Sequence, residues 1–395
     1  MTIEPERSTR VSPPRAVELA KPGPTSPHLV RLTLVGLLLL VPIWGRDHAA
    51  RLPWLYLVML AFAVAFFATP VARVIARRWS VLDMPASRKV HEVATPLLGG
   101  AAVYCGFAVT VLTSFDFSLQ LKGVVVGATL VVGIGILDDL TDLPASLKLA
   151  GHIGAAAAAI AYGVVLNVIP VWVPAYVWLN VALTVLWFVT VTNAVQFLDG
   201  MDGLAAGLGV IAGIFFSIAA LQTDQRYLMY LSAAIVGACL GFLPYNFRPG
   251  RAQIFLGDSG ATFIGFTLAG LAVMGEWAEG DPVIALLTPS LILGVPLFDI
   301  GFVGIARVVT GKVHSLHEWL AYTGRDHIHH RFEELGLTRK QSVLLIFFLA
   351  STLGLSAILL KDATPREAVL ILIQAGCVLA IVAVLEGVGR WRPRP

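Results

Sequence analysis

The stretch from Leu121 to Asp142 reads LKGVVVGATLVVGIGILDDLTD, an apolar run that ends in three carboxylates. Its apolar part approaches the roughly 20 residues that a helix needs to cross the hydrocarbon of a bilayer. Carboxylates at the boundary of a bilayer are costly to keep unless they bind something. This stretch therefore predicts a membrane helix with a functional site at one end.

The rest of the chain repeats this pattern. Of its 395 residues, 57% are hydrophobic and 13% are charged, whereas a soluble globular domain carries about 25% charged residues. We therefore predict an all-α fold, a polytopic bundle of membrane helices with eleven or twelve apolar segments and no large soluble domain. The predicted segments are Leu29–Trp44, Trp54–Ile75, Pro96–Leu112, Leu121–Leu137, Ala145–Leu166, Val177–Phe197, Gly203–Leu221, Tyr227–Leu243, Ala261–Trp277, Val283–Ile305, Ser342–Leu360 and Ala368–Leu385.

The two ends of the chain differ from this pattern. Residues 1–28 are rich in proline, serine and charge, so we expect a disordered N-terminal tail. Residues 29–53 form an extra apolar segment and a loop, and this short segment either spans the membrane or lies at its interface. Residues 54–388 form the transmembrane domain, and residues 389–395 form a basic cytoplasmic tail.

Basic residues mark one set of alternating loops. Short loops rich in lysine and arginine stay in the cytoplasm, and such loops follow the segments that end near Ile75, Leu243, Ile305 and Leu385. With that orientation the acidic clusters and the histidine cluster all lie on the cytoplasmic side, which predicts an active site on that face. These clusters are Asp138-Asp139, Asp199 with Asp202, Asp258, and His327–His330.

Charge and cysteine content exclude several classes of protein. The net charge of +3 is too small and too dispersed to indicate a nucleic-acid partner. Cys105, Cys239 and Cys377 lie singly in apolar segments, so we expect buried small hydrophobic side chains there. Neither a disulfide framework nor a thiolate metal site is expected.

The acids at the ends of apolar segments are candidates for metal or phosphate chemistry. Asp138 and Asp139 leave a helix at its C-terminal end, where the macrodipole disfavours negative charge. A nearby Mg²⁺ would relieve that conflict, and a base beside a phosphate or a merely solvated helix end are the alternatives. Asp258 opens a later helix, where it either caps the N-terminus or binds Mg²⁺. The amides of residues 257–260 are expected to be free for an anion.

A second polar group follows the segment that ends near Phe197. Asn193, Gln196 and Asp199 recur at a spacing of three, which puts them on one face of a helix. Asp202 follows in a glycine-rich turn, which could also be a plain connection between helices. An EF-hand is excluded, since the loop lacks the alternating ligands and the terminal glutamate.

The first basic loop carries residue types that bind phosphate. Arg88, Lys89 and His91 could hold phosphate oxygens, or they could only enforce topology. Gly99-Gly100 would let a helix begin close to another backbone or to a ligand, or would only pack helices.

A longer polar loop carries His327, His329 and His330 between arginines. The imidazoles could form a phosphate cradle or bind zinc. No cysteine is near, and the acids elsewhere suit a hard cation better than zinc.

Taken in order, these motifs resemble those of the polyprenyl-phosphate N-acetylhexosamine-1-phosphate transferases. These bacterial integral membrane enzymes include the undecaprenyl-phosphate GlcNAc-1-phosphate transferases and, more distantly, the phospho-MurNAc-pentapeptide translocases. The resemblance spans about Trp54 to Leu385. It rests on Arg88-Lys-Val-His91 with Pro96-Leu-Leu-Gly-Gly100, Asp138-Asp139, Asn193…Asp199-Gly-Met-Asp202-Gly, Phe255-Leu-Gly-Asp258-Ser-Gly260 and His327-Ile-His-His330.

The resemblance implies a reaction at the bacterial inner membrane. A UDP-N-acetylhexosamine would donate sugar 1-phosphate to polyprenyl (undecaprenyl) phosphate and release UMP, which starts a lipid-linked cell-envelope glycan. Mg²⁺ would be required, with Mn²⁺ as a substitute, and a homodimer is compatible with the family. The His-Ile-His-His form resembles the GlcNAc branch more than the pentapeptide branch.

The resemblance also implies roles for individual residues. Acids would serve at the lipid phosphate and in the nucleotide pocket, oxygen ligands would hold the metal, and basic and amide groups would bind substrate. Gln196 departs from the asparagine of many members, and the extra segment before Trp54 is unusual. The implied catalytic residues are Asp138, Asp139, Asp199 and Asp202; the metal ligands are Asp258 and Asn193; the substrate-binding residues are Arg88, Lys89, His91, Gln196, Asn246, His327, His329 and His330.

Two other functions remain open from the sequence. One is a phospho-MurNAc-pentapeptide transferase, and the other is a secondary transporter with intramembrane acids. A transporter should place its acids near the bilayer midplane and show repeat symmetry, but most acids here lie at segment ends. Asp299 is the exception, and it either pairs with a neighbouring helix or faces the site.

Overall fold

The computed structural model describes residues 53–84, 94–114, 118–278, 281–315, 318, 324 and 326–391. Several predictions lie outside these residues. They are the N-terminal tail, the apolar segment Leu29–Trp44, the end of the basic C-terminal tail, and the substrate-binding candidates Arg88, Lys89 and His91.

The described chain is mostly helical and has almost no strands, which confirms the predicted all-α class. A short hairpin, β1 (Leu82–Asp83) with β2 (Thr95–Pro96), is antiparallel and pairs Leu82 with Pro96. The helices are α1 (Pro53–Arg78), α2 (Gly99–Ser114), α3 (Leu119–Thr141), α4 (Ala145–Ala161), α5 (Tyr176–Leu198), α6 (Leu204–Gln222), α7 (Arg226–Asn246), α8 (Gly257–Met274), α9 (Pro282–Ile292), α10 (Gly294–Val309), α11 (Ile328–Glu334), α12 (Arg339–Lys361) and α13 (Pro365–Trp391).

The protein is a polytopic helical membrane protein. Within the described residues, eight helices are long and apolar enough to cross a bilayer, and a ninth span is formed if α9 and α10 are counted together. Helices α2 and α4 are apolar but shorter. Each of the eleven segments predicted after residue 53 corresponds to a helix, except that Val283–Ile305 is broken at Leu293 by a bend of 86°.

Helix α8 lies at the centre of the bundle. In its apolar window 83% of the residues are buried inside the protein, against 17% for α13 at the periphery. Phe266 of α8 packs on Phe188 of α5 with ring centroids 4.6 Å apart. Because α8 begins at Gly257, this packing holds Asp258 at the end of the bundle where α3 ends.

The prediction for the cysteines is correct for one of three. Cys239 is buried, whereas Cys105 and Cys377 are exposed and unpaired. Both lie on outward faces of their helices, which would contact lipid. The residues next to them in the sequence are apolar because the helices cross a membrane, and this does not require the cysteines to be buried in the protein.

Glycines allow the helices to approach closely around Asp258, as the sequence predicted for Gly99-Gly100. The Gly100 amide donates to the carbonyl of Leu256 over 2.7 Å. A Cβ on Gly100 would lie 2.1 Å from the backbone nitrogen of Gly260, and one on Gly135 would lie 2.4 Å from the Cα of Ser259. These contacts fix α2 and α3 against the first turn of α8.

Two glycines of α3 offer a matched test of this packing. We expect Gly135→Ala to lower the thermal unfolding midpoint in detergent and the activity, because the backbone of Ser259 must move; overpacking costs about 1–3 kcal/mol. Gly133→Ala should leave both unchanged, since a Cβ on Gly133 meets nothing within 4 Å. Equal behaviour of the two variants would contradict the close approach of α3 to α8.

Candidate active site

Eight of the predicted site residues line one cavity. It has a volume of about 1110 Å³ and lies where α3 and α5 end and α6 and α8 begin. Its wall therefore draws on several loops that are distant in sequence. The eight residues are Asp138, Asp139, Gln196, Asp199, Asp202, Asn246, Asp258 and His330.

A larger cavity of about 1580 Å³ lies at the opposite ends of the same helices. Its lining includes Gln120 at the start of α3, Leu221 in α6 and Met274 at the end of α8. None of the predicted site residues lines it. Size alone therefore does not identify the site, whereas the convergence of carboxylates does.

Lys148 of α4 joins the two acids that the sequence predicted to converge. Its ammonium nitrogen lies 2.5 Å from an oxygen of Asp138 and 2.9 Å from Oδ2 of Asp258. The amide of Gln196 also donates to that Asp258 oxygen over 2.6 Å, and the Leu143 amide donates to Asp138 over 2.7 Å. Sequence reasoning missed Lys148, although it is the one lysine or arginine of a mostly apolar helix.

Asp139 occupies the N-terminus of α8. Its carboxylate accepts hydrogen bonds from the amide of Asp258 over 2.9 Å, the amide of Ser259 over 3.3 Å and the Ser259 hydroxyl over 2.8 Å. The expectation that the amides here are free for a ligand anion is wrong for these two, because Asp139 is the anion that the helix binds.

Asp258 does not act as the N-cap of α8. The N-cap position is Leu256, which makes no side-chain capping hydrogen bond, and the Asp258 side chain turns toward Lys148 and Gln196. The capping explanation for Asp258 is therefore wrong, and the carboxylate lines the cavity; its role as a Mg²⁺ ligand stays a prediction.

Asn193 lies one turn away from the cavity wall. Its amide donates to the carbonyl of Val189 over 2.7 Å and lies 3.3 Å from Nδ1 of the buried His152. Gln196, and not Asn193, contacts Asp258. The role of Asn193 as a metal ligand stays a prediction.

The turn after α5 is held by Asn246. The Asn246 carbonyl accepts from the Gly203 amide over 2.5 Å, and its amide donates to the carbonyl of Ile254 over 3.0 Å. Gly203 has a φ of 81°, a left-handed conformation that favours glycine. This clamp places Asp199 and Asp202 on the cavity wall.

Asp199 lies in an environment that disfavours its charge. Its pKa is raised well above the usual value, first because the carboxyl is removed from water and then because Asp258, Asp139 and Asp202 are near. Carboxyls crowded in this way bind protons or cations more readily than isolated ones.

The three predicted histidines take different positions. Only His330 lines the cavity; His327 and His329 are buried, with 8% and 1% of their surfaces exposed. Neither ring nitrogen of His329 has a hydrogen-bond partner, and the ring covers Gly200, where a Cβ would lie 2.2 Å from Nε2. His329 therefore connects the histidine loop to the turn that carries Asp199.

Burial of His329 predicts a loss of stability in acid. Its pKa lies well below 6.5, because burial and then His330 and His327 disfavour its charge. As the pH is lowered, the unfolded chain therefore takes up a proton at this histidine before the folded protein does. The free energy of unfolding is highest above about pH 6.5 and falls by up to roughly 1.4 kcal/mol for each pH unit below that value. Thermal unfolding between pH 7.5 and 5.5 should be less pH-dependent in His329→Gln than in the wild type. His330→Gln is the control and should change this slope less; equal slopes for wild type and His329→Gln would contradict the prediction.

The site offers oxygen ligands for a cation. Among the described residues, no three acidic, histidine or cysteine side chains form a metal-binding group. Mg²⁺ in proteins is usually held by one or two carboxylates together with water and substrate phosphates, not by a complete protein cage. Asp138 and Asp258 already share the ammonium of Lys148, so the space between them accommodates a cation.

The known proteins that are similar to this chain are transferases. Residues 121–276 match the family model described as glycosyl transferase family 4. The "Probable undecaprenyl-phosphate N-acetylglucosaminyl 1-phosphate transferase" of Bacillus subtilis (strain 168) is 33% identical over 347 residues, which cover 86% of this chain and 94% of that protein.

Two further relatives extend this result. The decaprenyl-phosphate N-acetylglucosaminephosphotransferase of Mycobacterium leprae (strain TN) is 32% identical over 88% of this chain and 94% of its own. The phospho-N-acetylmuramoyl-pentapeptide-transferase of Acetivibrio thermocellus is 34% identical, but over 47% of this chain and 52% of its own.

Proposed function

Because the chain belongs to the polyprenyl-phosphate N-acetylhexosamine-1-phosphate transferase family, we propose that it transfers N-acetylhexosamine 1-phosphate to a polyprenyl phosphate. The proposed donor is a UDP-sugar, in the first place UDP-GlcNAc, and UMP is released. The observation that carries the proposal is the convergence of Asp138, Asp258 and Lys148 in one cavity at an end of a membrane bundle. A cytosolic donor and a lipid acceptor can meet only at such a boundary.

The chemistry requires little covalent help from the protein. A phosphate monoester with a second pKa near ~6 is largely dianionic at neutral pH, so the acceptor can attack the β-phosphorus of the donor directly. Catalysis then depends on position and on positive charge where negative charge develops. The Lys148 ammonium, and Arg339 and Lys340 on the cavity wall, supply such groups.

Mg²⁺ fits this site, with Mn²⁺ as a substitute. Asp258 and Asp138 would hold the ion, and Asn193 is the further ligand that the family resemblance suggests. When bound, the metal would neutralise the diphosphate of the donor and stabilise the leaving UMP. Asp199 and Asp202 also line the cavity, and we assign them to the nucleotide pocket that the family resemblance implies.

The alternatives receive less support. The pentapeptide-transferase relative aligns with about half of the chain, whereas the GlcNAc-1-phosphate relatives align with most of it. A transporter is disfavoured since Asp138, Asp139 and Asp258 lie at helix ends and not at mid-helix. We further propose a bacterial inner-membrane location with the cavity facing the cytoplasm, supported by the basic loops on that side; a homodimer stays a prediction.

A panel of donors tests the proposal. Membranes containing the protein are incubated with polyprenyl phosphate, Mg²⁺ and each of several UDP-sugars, and UMP and the lipid product are measured. UMP and a lipid-linked sugar diphosphate are expected together, with UDP-GlcNAc as the best donor. Release of UDP, or no lipid product from any UDP-sugar, would contradict the proposed reaction.

A further inference from the structure

Asp299 is a buried acid in the bent part of the bundle. It lies in α10, none of its surface is exposed, and its carboxylate turns toward the start of α11. One oxygen lies 2.6 Å from Nδ1 of His327, and the other accepts the amide hydrogen of Ile328 over 2.7 Å. A single side chain of α10 therefore holds both the ring and the backbone at the start of α11.

The second nitrogen of His327 faces a different partner. Its Nε2 lies 3.5 Å from Nη2 of Arg307, whose guanidinium makes two hydrogen bonds of 2.9 and 2.7 Å to Asp326. A carboxylate only accepts and a guanidinium only donates. The two contacts thus select one form of the imidazole, with the hydrogen on Nδ1 toward Asp299 and Nε2 free to accept from Arg307.

This contact bears on the cavity through the short helix α11. The amide of His330 donates to the carbonyl of His327 over 3.0 Å, and His330 is the histidine of this loop that lines the cavity. His329, between them, covers Gly200 beside Asp199. A shift of His327 would therefore move a group on the cavity wall and a group that packs on the Asp199 turn.

We propose that Asp299 is a positioning residue for the transfer reaction, which holds His327 in its Nδ1-protonated form and thereby places His330 on the cavity wall. The expected effect on the binding of the UDP-sugar rests on the proposed function. The expected protonation of the His327 ring on Nδ1 rests only on its contacts with Asp299 and Arg307.

Asp299→Asn is the discriminating substitution, because it keeps the shape and removes one acceptor. If the asparagine oxygen accepts from Ile328, its NH₂ group faces His327 and drives the hydrogen to Nε2, where it meets the donors of Arg307. We expect the KM for the UDP-sugar to rise at least tenfold, with a smaller change in kcat. His327→Gln removes the same contact from the other side and should produce the same rise in KM.

A double-variant cycle tests whether Asp299 acts through His330. Asp299→Asn combined with His330→Gln should have a KM no higher than the worse single variant, since both remove one function. If the increases in KM of the two single variants multiply in the double variant, the proposal is wrong.

Asn180→Ala is the matched control. Asn180 is a buried polar side chain that forms hydrogen bonds with the amides of Val168 and Ile169 at the opposite end of the bundle. It should lower the unfolding temperature without changing KM.

Nitrogen-15 NMR of histidine-labelled protein gives a readout that does not need activity. The His327 signal, assigned from its absence in His327→Gln, should report hydrogen on Nδ1 in the wild type and on Nε2 in Asp299→Asn. If no UDP-sugar is a donor but this change occurs, the proposed function fails and the anchoring by Asp299 stands. An unchanged ring form, or a change in stability alone with KM unaltered, would overturn the role of Asp299.

Discussion

Replacing Asp258 with asparagine is expected to lower the rate of sugar-phosphate transfer by roughly 100- to 1000-fold and to raise the Mg²⁺ concentration needed for half-maximal activity. The Asp258 carboxylate shares the Lys148 ammonium with Asp138 and accepts from Gln196. The amide of asparagine carries no charge, so it binds a divalent ion weakly and leaves Lys148 with a single carboxylate. The rate of UMP release across a Mg²⁺ titration measures both effects.

Asp281→Asn is the control for this substitution. Asp281 caps the N-terminus of α9 by accepting from the amides of Val283 and Ile284, and asparagine caps helices equally well. The same change of charge, made away from the acidic cavity, should leave the rate and the metal dependence unaltered. Wild-type metal activation in Asp258→Asn would remove Asp258 from the metal site.

Replacing Lys148 with methionine is expected to shift the metal dependence in the opposite direction. Without the ammonium, the carboxylates of Asp138 and Asp258 repel each other, and a divalent cation between them meets no competing charge. The Mg²⁺ concentration for half-maximal activity should therefore fall. The maximal rate should still fall by about 100-fold, because a positive group beside the reacting phosphates is lost.

Lys122→Met is the matched control for this prediction. Lys122 is exposed near the start of α3, at the end of that helix away from the acids. Its replacement should change neither the rate nor the metal dependence. A higher Mg²⁺ requirement in Lys148→Met, as in Asp258→Asn, would show that the lysine assists metal binding and does not compete with it.

The helices could be predicted closely from local composition. A membrane-spanning segment must be apolar over most of its length and must satisfy its backbone hydrogen bonds within itself, so each span is visible in its own residues. The bend at Leu293 was not predicted, because Val283–Ile305 is apolar on both sides of the break. The exposure of Cys105 was also mispredicted, since lipid and protein interior select the same residue types.

The candidate site could be predicted in part. Clustered carboxylates beside apolar runs indicated Asp138, Asp199 and Asp258, and all three line one cavity. The different partners of the two adjacent acids could not be predicted from the sequence. Asp139 caps α8, whereas its neighbour Asp138 contacts Lys148. Adjacent residues of a helix point in directions about 100° apart, so their partners depend on what packs at each side.

The pairing of Asp299 with His327 illustrates the same limit. The sequence left two options for this acid, a neighbouring helix or the site. The structure shows that its partners belong to the start of α11, 28 and 29 residues further along the chain.

The amino-acid sequence by itself determined that this chain crosses a membrane many times and carries the acids of the candidate site at one set of helix ends, because apolar runs and their charged boundaries are local features. Only the tertiary structure decided that Lys148 would lie between Asp138 and an aspartate 110 residues away. Contacts below 3 Å depend on how closely whole helices approach. In this bundle that approach is set by Gly100 and Gly135 against the first turn of α8, and short-range hydrogen bonds and ion pairs form only where packing brings their atoms within reach.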